Sequence, residues 1–165
     1  MQGTLILNHR EIEQKIQRIT WQIYEEFSHE KALILIGIQG NGSLLADLIS
    51  EKLKTISSMY ITRGDIQLDK TSSLPGHAVL NCPISLENQS VVLIDDVLNS
   101  GKTILMALVP MVNQAPGNIK TVVLADRNHK QFPVSADIVG ITLSTTLHEH
   151  IYFDIHQGSM QVSLG

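Results

Sequence analysis

Three segments of this chain read as buried strands: residues 32–38 and 91–94, apolar on both of their alternating faces, and residues 119–125, apolar from Val122 onward. A strand with one wet face alternates in polarity, whereas a strand that is apolar throughout must be covered on both sides. Amphipathic helical segments fall between these runs. That order predicts an α/β fold with a mostly parallel, twisted sheet flanked by helices on both faces. The first helix is predicted from Asn8, which with Glu11 forms a capping-box variant. Ile12, Ile16, Ile19, Ile23 and Phe27 follow at steps of four, three, four and four, one stripe that ends near Ser28. Gly40 and Gly42 break the run at 32–38, and a second helix is predicted from Ser43, with Leu44, Leu45, Leu48, Ile49 and Leu53 on one face. A third is predicted from Lys102, interrupted or ended by Pro110. Residues 59–62 read as a short strand. Residues 63–83, with Gly64, Pro75, Gly76 and Pro83 among small polar residues, predict a long loop with room for a hairpin; loops of that length in compact domains are usually functional. Late strands are predicted at 138–143 and 150–155.

Composition narrows the class. The 165 residues suit one domain, 1–165, and a chain near that size can bury roughly 70% of its unfolded surface. Twelve Lys and Arg against sixteen Asp and Glu give a net charge of −4, and hydrophobic residues are 43% of the chain. A disordered chain would combine low hydrophobicity with high net charge, and a general nucleic-acid coat would be basic. Cys82 is the single cysteine, so no internal disulfide or thiolate zinc site can form. Together with an opening segment that lacks the basic start of a secretory leader, this predicts the reducing cytoplasm. The apolar run at 32–38 is far shorter than the ~20 residues a bilayer requires, so no membrane association is expected.

In open sheets of this kind ligands gather at the carboxyl ends of strands. Three such ends carry unusual chemistry: residues 37–42, 95–103, and Asp126 with Arg127. The second is the most specific. After the apolar run come Asp95 and Asp96, two adjacent carboxylates whose proximity is costly unless something binds them. A ribose diol donating two hydrogen bonds, or a divalent cation, would compensate them. Val97, Leu98 and Asn99 lead to Ser100, Gly101, Lys102 and Thr103 at a helix start. There, backbone N–H groups, two hydroxyls and the helix dipole make a cradle for phosphate. A plain strand–turn–helix with Ser100 as N-cap would leave both acids unexplained. A P-loop nucleotide site would need glycine five positions before Gly101, where Asp96 stands. An acid there would repel a triphosphate.

The stretch from 91 to 103 resembles the phosphoribosyl pyrophosphate signature of type I phosphoribosyltransferases: an apolar run, two acids, spacers, then Ser-Gly-Lys-Thr. The strand at 34–38 with Gly42 and a following helix looks like that family's pyrophosphate loop, here Gln39, Gly40, Asn41 and Gly42. Residues 122–134, Val-Val-Leu-Ala-Asp-Arg-Asn-His-Lys-Gln-Phe-Pro-Val, followed by 136–140, look most like the branch of bifunctional pyrimidine operon regulators and uracil phosphoribosyltransferases. The resemblance spans nearly the whole chain. It implies a single-domain type I phosphoribosyltransferase fold with a small hood of late strands, and transfer of 5-phosphoribose to a nucleobase, most simply uracil, with release of pyrophosphate. It implies Mg²⁺ as cofactor. Asp95 and Asp96 would hold the ribose hydroxyls, directly or through the metal, and stabilise the positive charge that develops at the anomeric carbon. Residues 97–103 would anchor the 5-phosphate, and the polar loop at 63–78 would close over the site. Where the branch usually has Lys-Thr-Arg-Gly, this chain has Gln-Gly-Asn-Gly, without a cation; Leu68, Asp69 and Lys70 only echo the branch's loop pattern. The alternative that this departure raises is a non-catalytic, nucleotide-sensing regulator that keeps the ribose-phosphate site.

Asp126 and Arg127 are candidates for a nucleotide contact or a structural ion pair. Arg127, His129 and Lys130 could also meet RNA, but 4% aromatic content and a negative net charge disfavour that partner. His148 and His150 lie two apart with no third metal ligand nearby in sequence and read as a surface or interface pair. Low charge and apolar helices predict a homodimer or a higher homo-oligomer.

Overall fold

The computed structural model of the chain describes residues 3–68, 78–146 and 149–165. Nine strands and three helices occur among them: β1 Thr4–Leu7, α1 His9–Glu26, β2 Ala32–Ile38, α2 Asn41–Ile56, β3 Tyr60–Leu68, β4 Ala78–Asn81, β5 Ser90–Leu98, α3 Lys102–Val112, β6 Asn118–Arg127, β7 Ile138–Leu143, β8 Ile151–His156 and β9 Ser159–Leu164. Six strands form one sheet in the order β4-β3-β2-β5-β6-β7, parallel throughout except for β4 at the edge. The remaining three form an antiparallel hood in the order β1-β9-β8.

The doubly apolar runs occupy the centre of the sheet, as their sequence requires. Leu33, Leu35, Val92, Ile94, Val122 and Leu124 face α1 and α2, while Ile34, Ile36, Val91, Leu93 and Val123 face α3. The isoleucine stripe of α1 is fully inside, and deleting any one side chain to Ala would cost about 2–5 kcal/mol. Asn8 and Glu11 make the capping box that the sequence predicts. α1 also joins the two sheets: it packs on β7 and on β9, and His9 Nδ1 accepts from the Met160 N–H at 3.2 Å.

Several elements differ from the sequence reading. α2 starts at Asn41 rather than Ser43, because Gly40, at φ +101°, turns the chain into the helix early. Strand takes both ends of the 63–83 segment: β3 runs to Leu68 and pairs antiparallel with β4, so the hairpin is real. Asp69 and Lys70, and the stretch to residue 77, lie outside the described residues, as does His148. Pro110 does not end α3, which continues to Val112. Proline there forfeits a single hydrogen bond near a helix end that would fray anyway. β7 belongs to the main sheet. β1 and β9, which the sequence reading does not anticipate, complete the hood with β8. No helix among the described residues is long and apolar enough to cross a membrane.

Candidate functional site

From β2 the chain passes through α2 to β3 on one side, then returns to place β5 on the other side of β2. Sheet order reverses there, and the crevice outside the carboxyl ends of β2 and β5 is where such folds bind ligands. A cleft of about 620 Å³ lies at that point. Its lining brings together Gln39, Gly40, Asn41 and Gly42 from the β2–α2 turn with Asp95, Asp96, Val97 and Asn99 from β5 and its following turn. Lys102 and Thr103 enter from the first turn of α3, and Ile151, Tyr152 and Phe153 from the hood. Two candidate sites far apart in sequence thus share one cavity.

Asp95 and Asp96 lie inside β5 rather than beyond it, because β5 stays paired with β6 up to Leu98. Pairing with β2 stops at Ile94, so the acids occupy the side of β5 that opens onto the cleft. Asp95 is buried, and its Oδ1 accepts from the Asp96 N–H at 3.0 Å. Asp96 Oδ1 accepts from the Val97 N–H at 2.8 Å, and its Oδ2 accepts from Asn41 Nδ2 at 3.0 Å. Backbone N–H groups and the Asn41 amide thus hold both carboxylates in place at the mouth of the cleft. Gly42 permits the arrangement: a Cβ there would stand 2.9 Å from the Ile94 carbonyl oxygen and 3.1 Å from Asp95 Oδ1.

The phosphate turn is built differently from its sequence expectation. The N-cap of α3 is Gly101, in the left-handed region at φ +88°, and no side chain caps the helix. Ser100 Oγ instead accepts from the Lys102 N–H at 3.3 Å. First-turn N–H groups of a helix have no partner within it, and the helix dipole favours an anion there. Leu98 is buried in the apolar core, and neither Ser100 nor Gly101 lines the cleft; they shape the turn. The Ser100 carbonyl accepts from the Gln131 and Phe132 N–H groups, both at 3.0 Å, and Val134 packs against Gly101. This brace has no motif of its own, only the Pro133 turn to hint at it.

Asp126 and Arg127 stand one strand away and do not line the cleft. Lys130 Nζ approaches the Asp126 oxygens at 3.0 and 3.1 Å. Arg127 donates to Thr145 Oγ1 at 2.8 Å and to the Thr146 carbonyl at 2.9 Å. In the same corner Glu149 accepts from the Thr146 N–H at 2.7 Å, and this bond, with Arg127 nearby, holds its carboxyl below the usual range. His150 is exposed and lies beside the ring of Tyr152. Behind the β2–α2 turn, Arg63 pairs with Asp47 at 2.9 Å and Asp65 at 3.1 Å, and Ser43 donates to Asp65 at 2.5 Å. Sequence reasoning placed Arg63 in a loop and missed this support.

The match to the family model for the phosphoribosyl transferase domain runs over residues 2–156. The chain belongs to the phosphoribosyl transferase domain family. Within it, the chain is similar to the bifunctional protein PyrR of Geobacter sulfurreducens, at 34% identity over 157 residues covering 90% of this chain and 89% of that one. It is also similar to the bifunctional protein PyrR of Geobacter sp. (strain M21), at 32% identity with the same coverage of both chains. The fold of this phosphoribosyl transferase domain superposes on the hypoxanthine phosphoribosyltransferase of Trypanosoma cruzi with a TM-score of 0.80. That match has 16% identity and covers 97% of this chain and 95% of the other.

A divalent cation would have to suit this donor set. Among the described residues no group of three or more His, Cys, Asp or Glu could hold a metal ion. The two carboxylates alone are too few for a protein-held calcium or zinc. They do fit Mg²⁺, which commonly takes one or two carboxylates and draws its other ligands from water and substrate phosphates.

Proposed function

We propose that this phosphoribosyl transferase domain is a cytoplasmic uracil phosphoribosyltransferase, comprising residues 1–165, that binds phosphoribosyl pyrophosphate with Mg²⁺. The observation that carries the reading is the acid pair at the switch-point crevice beside the uncapped start of α3. Diol-binding carboxylates next to an anion cradle suit a ribose 5-phosphate.

In this reading Asp95 and Asp96 accept from the two ribose hydroxyls and offset the positive charge that develops at the anomeric carbon. Thr103, Lys102 and the first-turn N–H groups of α3 hold the 5-phosphate and so orient the sugar. The β2–α2 turn receives pyrophosphate through its backbone. The bond from the anomeric carbon to pyrophosphate breaks, a bond to the uracil nitrogen forms, and that nitrogen gives its proton to water as pyrophosphate departs. Bound Mg²⁺, reached by Asp95 and Asp96, would neutralise charge on the pyrophosphate oxygens. The nucleobase would lie against β8. A homodimer belongs to this reading, supported by exposed Leu105, Val109 and Val112 along one face of α3.

The test is formation of uridine monophosphate and pyrophosphate from uracil and phosphoribosyl pyrophosphate with Mg²⁺, repeated with a panel of other nucleobases. Turnover that vanishes in Asp95→Asn plus Asp96→Asn supports the reading; turnover with a purine alone replaces uracil. One observation favours a second reading, a nucleotide-sensing regulator without turnover: Gln39, Gly40, Asn41 and Gly42 carry no cation to meet pyrophosphate. Tight binding of uridine monophosphate without product formation would select it, and RNA binding that weakens with salt would extend it.

A further inference from the structure

β8 is an edge strand of the hood, yet it is not left open. His150 exchanges both backbone hydrogen bonds with Gly165, so the alternation of an antiparallel ladder turns the backbone groups of Ile151 and Phe153 toward the other edge, facing β5. Both residues are buried, and buried backbone groups require partners. Two asparagines from the cleft supply them. Asn99 Nδ2 donates to the Ile151 carbonyl at 3.3 Å while its Oδ1 accepts from the Ile151 N–H at 3.4 Å, imitating one rung of a strand. Asn41 Nδ2 donates to the Phe153 carbonyl at 2.8 Å and, with its second hydrogen, to Asp96 Oδ2 at 3.0 Å. The Phe153 carbonyl can only accept, so chemistry alone orients this amide.

We propose that Asn41 is a positioning residue that ties β8 to Asp96, so that a ligand seated on the acid pair also fixes the wall of the cleft formed by β8. The inference rests on the proposed function for the identity of the ligand, but not for the tie itself. Asn41 is the first residue of α2, so one side chain joins the β2–α2 turn, the acid pair and the hood. A ligand that immobilises Asp96 removes one of the motions available to the amide. The Phe153 carbonyl, sharing that amide, loses freedom with it. Asn99 reaches β8 from the same side but commits both ends of its amide to Ile151, which separates a simple dock from a coupled one.

Hydrogen exchange at residues 151–155, measured at neutral pH with and without phosphoribosyl pyrophosphate and Mg²⁺, tests this. In the wild type the ligand should slow exchange there by about fivefold or more, the size expected when one buried hydrogen bond is secured. Asn41→Asp keeps the shape and exchanges the donor for an acceptor. It should lose that slowing even at phosphoribosyl pyrophosphate concentrations that saturate it, and its KM for the nucleobase should rise. Asn99→Ala should speed exchange at Ile151 without ligand and keep the ligand-induced slowing at Phe153. Equal slowing in wild type and Asn41→Asp overturns the proposal. If the wild type binds no phosphoribosyl pyrophosphate, the proposed function falls instead. The tie is then judged without ligand, where Asn41→Asp must speed exchange at 153–155 by about fivefold, and unchanged exchange overturns it.

Discussion

The β2–α2 and β5–α3 turns share a design. Each follows a buried parallel strand, each passes through a glycine at positive φ (Gly40 at +101°, Gly101 at +88°), and each opens a helix without a side-chain cap. They differ in what surrounds that frame. A Cβ on Gly101 would collide with Val134 Cγ2 at 2.5 Å, whereas one on Gly40 would meet nothing within 4 Å. The β5–α3 turn follows two carboxylates and carries Lys102; the β2–α2 turn has only neutral side chains. One turn is braced and charged for a fixed group, and the other is open and neutral. In the proposed function, a sugar phosphate that must stay put and a leaving group that must depart would make such opposite demands on one scaffold.

The largest effect should come from removing what is unique to the β5 side. Asp95→Asn plus Asp96→Asn should lower kcat/KM by about 100- to 1000-fold, the range for losing preorganised charge at a transition state, in a steady-state assay of nucleotide formation. A loss below about tenfold would mean that the two turns contribute alike. Bracing comes next. Gly101→Ala should reduce unfolding free energy by about 2–4 kcal/mol, from left-handed strain plus the collision with Val134. Gly40→Ala, strained but in open space, should cost about 1–2 kcal/mol; urea unfolding of both variants gives the difference. Equal losses would show that the brace from residues 131–134 yields freely.

A smaller effect should follow from making the neutral turn resemble a cationic one. Gln39→Lys should lower KM for phosphoribosyl pyrophosphate by about tenfold at low salt, because a hydrogen bond to a charged group contributes about 1.5 kcal/mol. The gain should shrink as salt is added. An unchanged KM at every salt concentration would show that backbone N–H groups already satisfy the pyrophosphate. The smallest effect lies in the corner beyond both turns. Glu149 has its carboxyl lowered in the folded chain by the Thr146 N–H, so its contribution to that corner is present above the ordinary carboxylate range and lost as pH falls through the lowered value. A carboxyl-carbon NMR titration should place its midpoint below 4.5, the value of an unperturbed glutamate. A midpoint at or above that value would sever Glu149 from Thr146.

Much of the main sheet was legible because its chemistry is local. A doubly apolar run such as 32–38 has few ways to be satisfied, and the stripe from Ile12 to Phe27 has the period of a helix. The acid pair and phosphate turn were legible because unlike residue types are concentrated within nine positions, 95–103. The hood was harder. β1 and β9 are short, half-buried strands whose pairing partners lie at opposite ends of the chain, and no window of sequence records such a pairing. The second half of β3 was hidden because Arg63, Gly64 and Asp65 resemble a turn, yet Arg63 finds Asp47 and Asp65, and Gly64 fits under Ile36. Asn41 and Asn99 stood among the candidates for the pyrophosphate and ribose 5-phosphate loops, with nothing in sequence to link either to the hood. Their task is visible only once β8 lies beside them.

That long-range pairing has a kinetic consequence. Register between Thr4 and Leu164 closes nearly the whole chain into one loop, while the strands β2, β3, β5, β6 and β7 pair with neighbours much closer in sequence. Contacts of such separation carry the largest closure entropy and tend to form last. The floor of the cleft can therefore assemble before its far wall exists. Affinity for ligand should return in refolding as a distinct slow phase, after the edge-to-face contact of Trp21 with Tyr24 on α1 has already been restored.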